Sequence, residues 1–225
     1  MANIFPRSSN WLPLKFIIIL SVLGSAVTAG AWYYLTPKYA RIGYQPVQPV
    51  PFPHNVHVDQ LGMDCRYCHS FVEVAAESNI PTTQVCMNCH SQVQKDNPKL
   101  KPVFDSWQSG KPVEWVQIHK NPDYVYFNHS VHVNRGVSCV SCHGRIDQME
   151  TVYHAKSLTM KFCLDCHREP EKFLRPVDKV TKLGWEPALK GEETSVDEAQ
   201  LRVGTAIKLK EQVNPPDKNC FGCHR

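Results

Sequence analysis

All ten cysteines of this chain fall into five copies of one pattern, Cys-x-x-Cys-His: Cys65, Cys68 and His69; Cys86, Cys89 and His90; Cys139, Cys142 and His143; Cys163, Cys166 and His167; Cys220, Cys223 and His224. Two thiols three residues apart can each bond one vinyl-derived carbon of the same porphyrin, and the next imidazole then reaches its iron. The pattern is the attachment signature of c-type haem. Zinc sites built from Cys-x-x-Cys use two pairs each, which five pairs cannot satisfy, and give no reason for a histidine after every pair. Three-residue disulfide loops would staple very little chain. The sequence therefore predicts five covalent c-type haems, with His69, His90, His143, His167 and His224 as proximal iron ligands.

Haem in turn decides the fold class. With 225 residues, 17 prolines and 11 glycines, the chain has roughly forty residues per haem, too few for an independent polypeptide core. The expected class is mostly α and irregular: one N-terminal transmembrane helix plus a loop-rich multihaem domain whose haems form the core. The formal charge of +4 comes from scattered Lys and Arg residues and would be offset by haem propionates, so no nucleic-acid partner is expected.

Residues 16–35 carry no charge, a run long enough to cross a bilayer as a helix. Arg7 and Lys15 precede it, and Trp32, Tyr33 and Tyr34 cluster at its far end like an interfacial belt. This predicts a single-pass anchor in the cytoplasmic membrane, with the N-terminus in the cytoplasm and the haem domain on the periplasmic side. A cleaved secretory signal, with Ala29-Gly30-Ala31 as its processing site, is the competing reading. The run is longer than a usual signal core, which favours the anchor, and both readings export the chain.

The expected organisation is an anchor over residues 1–35, a Pro-rich extended tether over 36–53 and dihaem modules over 54–126 and 127–180, followed by a C-terminal segment, 181–225, with the fifth haem. The modules are read from an internal repeat. Phe52-Pro-His54-Asn-Val-His57-Val, followed by Gly62 and Cys65, returns 75 residues later as Phe127-Asn-His129-Ser-Val-His132-Val, followed by Gly136 and Cys139. Each copy carries a second motif, at Cys86 and Cys163. Ser195 with Glu198 forms a capping box that opens a helix over about 196–213, stopped by Pro215 and Pro216.

A low-spin electron-transfer haem needs a second axial ligand, and six histidines remain: His54, His57, His119, His129, His132 and His154. In each His-x-x-His pair two imidazoles share one short turn, yet an iron with a proximal ligand has room for one more. Each pair must therefore serve two haems, which makes His54, His57, His129 and His132 distal candidates. His119 is the preferred fifth; His154 and Met149 are weaker alternatives, with Met160 also near the second module, because a lone methionine more often packs a core. With as many donors as irons, no open iron position is required, so no catalytic residue is assigned and small-molecule reduction at these irons is disfavoured.

The tandem Phe-x-His-x-x-His plus Cys-x-x-Cys-His arrangement over residues 52–167 resembles class III multihaem cytochromes c. That resemblance implies His54 on the Cys65 haem and His129 on the Cys139 haem, with His57 and His132 reaching other haems. Over nearly the full chain, the N-terminal helix, the five motifs and three stretches are similar to the pentahaem cytochrome subunit of alternative complex III. The stretches are Pro122-Asp-Tyr-Val-Tyr-Phe-Asn-His129, Leu158-Thr-Met-Lys-Phe-Cys-Leu-Asp-Cys-His167-Arg168 and Cys220-Phe-Gly-Cys-His224-Arg225. The family consists of bacterial respiratory-chain membrane assemblies that oxidise menaquinol. The resemblance implies an electron relay, with an iron–sulfur subunit, polytopic quinol-binding subunits and a periplasmic monohaem cytochrome, another carrier or an oxidase as partners; His154 has no counterpart in it. The alternative is a self-sufficient anchored quinol dehydrogenase feeding a periplasmic reductase, for which residues 33–60 offer no carboxylate or lysine constellation.

Overall fold

A computed structural model describes residues 6–35, 40–191 and 193–224. The chain divides into two compact units, Met1–Ile42 and Gly43–Arg225. In the first, a 3-10 turn, Arg7–Trp11, leads into α1, Leu12–Leu35. Pro13 occupies its first turn, where a missing N–H costs nothing. At 1.5 Å per residue α1 is about 36 Å long, enough for a hydrocarbon layer of about 30 Å. None of its side chains is buried. Among the described residues it is the one helix long and apolar enough to cross a membrane.

The second unit is a succession of short helices joined by loops. Among the described residues it has no strand, only isolated bridges of Val125 with His224 and Val137 with Leu174. The motifs lie on α2 (Cys65–Cys68), α3 (Thr83–His90), α6 (Cys139–His143) and α7 (Met160–Arg168), and on a 3-10 turn, Cys220–Gly222. A single helical turn is what the spacing demands, because it brings residues three apart to the same face. Local side-chain caps start three of the five. Asp64 accepts from Arg66 N–H at 3.0 Å, Thr159 from Phe162 N–H at 3.4 Å and Asn219 from Phe221 N–H at 3.1 Å. α4 (Lys101–Ser109) lies between the second and third motifs, and α5 (His129–Asn134) carries His129 and His132 just before the third.

The apolar interior is sparse. Val50, Met87 and Val103 form one small cluster, and Leu174, Val180, Leu183 and Ala199 are buried elsewhere. The polypeptide does not supply its own core, as expected of a chain wrapped round bulky cofactors.

Two boundaries differ from the sequence reading. The tether was expected to stay extended to Pro53, but from Gly43 the chain is packed into the second unit; residues 36–39 lie outside the described residues. Gly43 N–H donates to His154 O at 2.8 Å, and His154 N–H to Tyr44 O at 3.0 Å. The Gln48 side chain pairs with both backbone groups of Val116, at 2.8 and 2.9 Å, and Val50 is buried. This segment thus satisfies backbone groups of two long loops that have no sheet or helix to do so.

The last helix, α8, runs Val196–Lys210 and so ends three residues before the expected 213, because Gln212 takes a left-handed conformation, φ 50°. Its capping box forms with one change. Ser195 Oγ accepts from Glu198 N–H at 3.3 Å, while the Glu198 carboxylate accepts from Thr194 N–H at 2.7 Å rather than from Ser195. α8 packs on the turn Pro170–Lys172 directly after the fourth motif. Gly204 permits this, since a Cβ there would strike the Glu171 backbone. Gln200 Nε2 to Leu174 O at 2.6 Å and Lys208 Nζ to the Glu171 carboxylate at 2.8 Å fasten it.

Candidate functional site

The repeated sequence makes a repeated ligand cassette. In the first copy the Phe52 ring meets His54 edge-on at 4.8 Å and stacks on His57 at 4.3 Å. In the second, Phe127 meets His129 edge-on at 4.7 Å and lies over His132 at 4.5 Å. The phenylalanines, quoted above only as part of the repeat, hold the two imidazoles apart in different planes. His57 Nδ1 is bonded to Pro53 O at 2.9 Å, and 75 residues on His132 Nδ1 is bonded to Asn128 O at 2.7 Å.

Each cassette then reaches across to the second motif of its own module. His57 faces His90 and His132 faces His167, both at 6.2 Å between ring centres. Two metal–nitrogen bonds of about 2 Å, plus about 1.1 Å from each nitrogen to its ring centre, span roughly 6.2 Å. The spacing fits one iron between each pair.

The hydrogen bonds also fit. Seven ring Nδ1 atoms lie against backbone carbonyls: His57 and His132 as above, His69 with Asn79 O at 2.8 Å and His90 with Val93 O at 2.9 Å. His129 pairs with Ala76 O at 2.9 Å, His167 with Pro216 O at 3.0 Å and His224 with Tyr124 O at 3.2 Å. A carbonyl can only accept, so Nδ1 donates its proton and Nε2 keeps the lone pair a metal needs. His54 Nδ1 is buried without a hydrogen-bond partner among the described residues. Burial, followed by the charges of His69 and His57, pushes the His54 pKa down to about 4. Burial, with His119 and His129 next, pushes His143 down to about 3, and burial also lowers His132. All three are neutral at physiological pH, the form that ligates.

Around the third motif the donors crowd. His119 lies 4.4 Å from His143 and 5.1 Å from His154, and His129 is also within electrostatic reach of His143. His154 is fully buried, and Met149 is buried with its Cε close to Gly144, next to His143. Met160 is 61% exposed. Beside the fifth motif stands a tyrosine, with Tyr124 and His224 at 5.6 Å. The six non-motif histidines therefore gather at the first four motifs, and serving the fifth would require the His119 ring to leave His143.

The cysteines are free thiols in the structure and stand for the thioether sulfurs of the loaded protein. Their neighbours put the motifs in single file. Cys68 lies in the electrostatic range of Cys86 and Cys89; Cys65 neighbours Cys139; Cys142 neighbours Cys166 and Cys163; and Cys163 neighbours Cys223. The spatial order is second, first, third, fourth, fifth. Burial pushes the Cys142 and Cys166 thiols up to about 12 and about 11, so these sulfurs face a dry interior. Cys89 and Cys220 are the exposed cysteines, one at each end of the file.

Sequence reasoning missed the residues that seat the motifs. Asp64 Oδ2 accepts from Thr181 Oγ1 at 2.8 Å, 117 positions away, and the buried Ser138 donates to Val180 O at 2.6 Å. Neither has a signature beyond its local cap position.

This geometry defines a multihaem c-type cytochrome. Residues 50–108 and 125–225 match the model of cytochrome c7 and related cytochrome c, and the chain belongs to that family. It is 36% identical over 119 residues, 52% of its length, to the menaquinone reductase multiheme cytochrome c subunit of Nitratidesulfovibrio vulgaris, and spans about half, 54%, of that protein. It is 22% identical over 111 residues to the acrylate reductase cytochrome subunit of Shewanella woodyi, covering 49% of this chain and 68% of the other. Cytochrome c-552 of Maridesulfovibrio salexigens is 23% identical over 194 residues, 66% of this chain and 39% of the other.

Proposed function

We propose that this chain is a membrane-anchored pentahaem subunit that relays electrons out of a quinol-oxidising assembly of the alternative complex III kind. The carrying observation is the single file of motifs, half-buried in its middle and with exposed cysteines at both ends. Covalent haem supplies a one-electron couple at each motif. His57 with His90 and His132 with His167 would hold a haem iron from both sides at two motifs, which would leave no room there for a substrate. Their Nδ1–H bonds keep the rings in the ligating tautomer. His54 opposite His69 and His129 opposite His143 complete two further pairs by the symmetry of the repeat. His119 is the preferred fifth distal donor once its ring leaves His143, with His154 and Met149 as the weaker alternatives. The exposed ends at Cys89 and Cys220 are where electrons enter and leave.

In this reading α1 anchors the chain in the cytoplasmic membrane with the haem unit in the periplasm. The partners are iron–sulfur and polytopic quinol-binding subunits on one side and a monohaem cytochrome, another carrier or an oxidase on the other. The likeness to the acrylate reductase cytochrome subunit favours a second reading, a self-sufficient quinol dehydrogenase feeding a periplasmic reductase.

One experiment separates the two. The full-length haem-loaded chain in lipid nanodiscs is mixed with a soluble menaquinol analogue in the absence of partners. The relay reading expects negligible reduction, whereas rapid reduction would sink it and establish the second.

A further inference from the structure

Arg175 lies where the third motif is pinned to the segment that follows the fourth. Leu174 bridges Val137, and Arg175 N–H donates to Gly136 O at 2.9 Å. Gly136, φ +87°, lies so close that a Cβ would strike the Arg175 carbonyl oxygen. The two backbones therefore touch three residues before Cys139.

The side chain turns inward. Its guanidinium stacks over Trp185, 5.3 Å from the ring centre, and Nη1 donates to Lys182 O at 3.1 Å. Its Nε is buried and finds no acceptor among the described residues. Burial weakens proton binding, and Cys139 is the neighbour that acts on it by charge. An arginine in a protein stays charged. In the loaded protein Cys139 is a neutral thioether, so this cation has no compensating anion among the described side chains. A half-buried, unpaired cation is costly unless something else gains from it.

We propose that Arg175 raises the reduction potential at the Cys139 motif by holding against it a guanidinium that no described side chain neutralises. A fixed positive charge favours the state with one more electron, and in a partly dry site the effect is little screened. The third motif is the middle of the file, so Arg175 makes the junction between the modules the easiest point to reduce. The inference rests on haem being bound at Cys139.

The test is a potentiometric titration of the full-length haem-loaded chain, followed by visible spectra, with total haem measured in parallel. Arg175→Gln should lower one of five midpoint potentials by about 59 mV, a tenfold change in a one-electron equilibrium, with haem content unchanged. Arg175→Lys should restore it, which a packing role would not. An Arg175→Gln curve that superimposes on the wild type, or moves upward, overturns the proposal; should that variant fail to mature, Arg175→Leu is judged by the same criterion. A wild-type chain with fewer than five haems contradicts the pentahaem reading instead, whereas five haems with an unmoved titration contradict only the role of Arg175.

Discussion

The two copies of the repeat share a ligand cassette and almost nothing else. Phe52, His54 and His57 are arranged like Phe127, His129 and His132 to within a few tenths of an ångström, and each cassette faces its partner histidine at 6.2 Å. The supports differ. The first module is braced by the Val50, Met87 and Val103 cluster and by Asn79, whose carbonyl orients His69 and whose side chain bonds Cys68 O at 3.1 Å. The second leans on Ser138 and Arg175 and on α8, which comes from further along the chain. Axial geometry is held tightly because iron tolerates little error, while the surrounding polypeptide need only exclude water.

Changes within the cassette should break both modules alike. His57→Ala should convert one haem of the first module to high spin, His132→Ala one of the second, and the double variant two, as read by electron paramagnetic resonance. This is the largest expected effect, and asymmetric responses would show that the copies are not equivalent. For the fifth donor, His119→Ala should turn one further haem high-spin while His154→Ala leaves the spectrum unchanged; the reverse would exchange their roles.

Changes in the supports should separate the modules. Gly204→Ala forces a methyl into the Glu171 backbone and should cost about 1–3 kcal/mol in denaturant titration by lifting α8 off the second module. Ser138→Ala leaves Val180 O without its buried donor, at a cost of about 1–3 kcal/mol, again felt at the third and fourth motifs.

The smallest effect belongs to the first module. Asp64→Ala removes the cap of α2 and the bond to Thr181, costing about 1 kcal/mol. The Arg66 side chain holds the Asp64 carboxyl well below its ordinary value. Because the folded value is the lower one, this stabilisation is complete above the unfolded pKa of about 3.9 and is lost only as pH falls through the folded value. Wild type and Asp64→Ala should therefore differ by a constant amount from neutral pH down to about 5. A difference that vanished at mildly acidic pH would show that the carboxylate is not so held.

The candidate site was legible in the sequence because covalent haem leaves a rigid signature, and the repeat made the pairs His54 with His57 and His129 with His132 stand out. The fold class followed from the shortage of residues per haem, and α1 from its uncharged run. What escaped were contacts between distant segments: Thr181 with Asp64, Ser138 with Val180, and the packing of the chain from Gly43 onward against Val116 and His154. No periodicity encodes these, since they satisfy single backbone groups across loops. The spatial order of the motifs was hidden for the same reason, because it departs from their order along the chain.

An electron relay of this kind requires that His57 with His90 and His132 with His167 each close on one iron. Near-infrared magnetic circular dichroism of the intact haem-loaded chain tests this most directly, because it reports the axial ligand pair of each low-spin iron. Bis-histidine signals are expected from both of these motifs, each lost with its own His→Ala change. Methionine–histidine or high-spin signals in their place, or signals untouched by His57→Ala and His132→Ala, would contradict it.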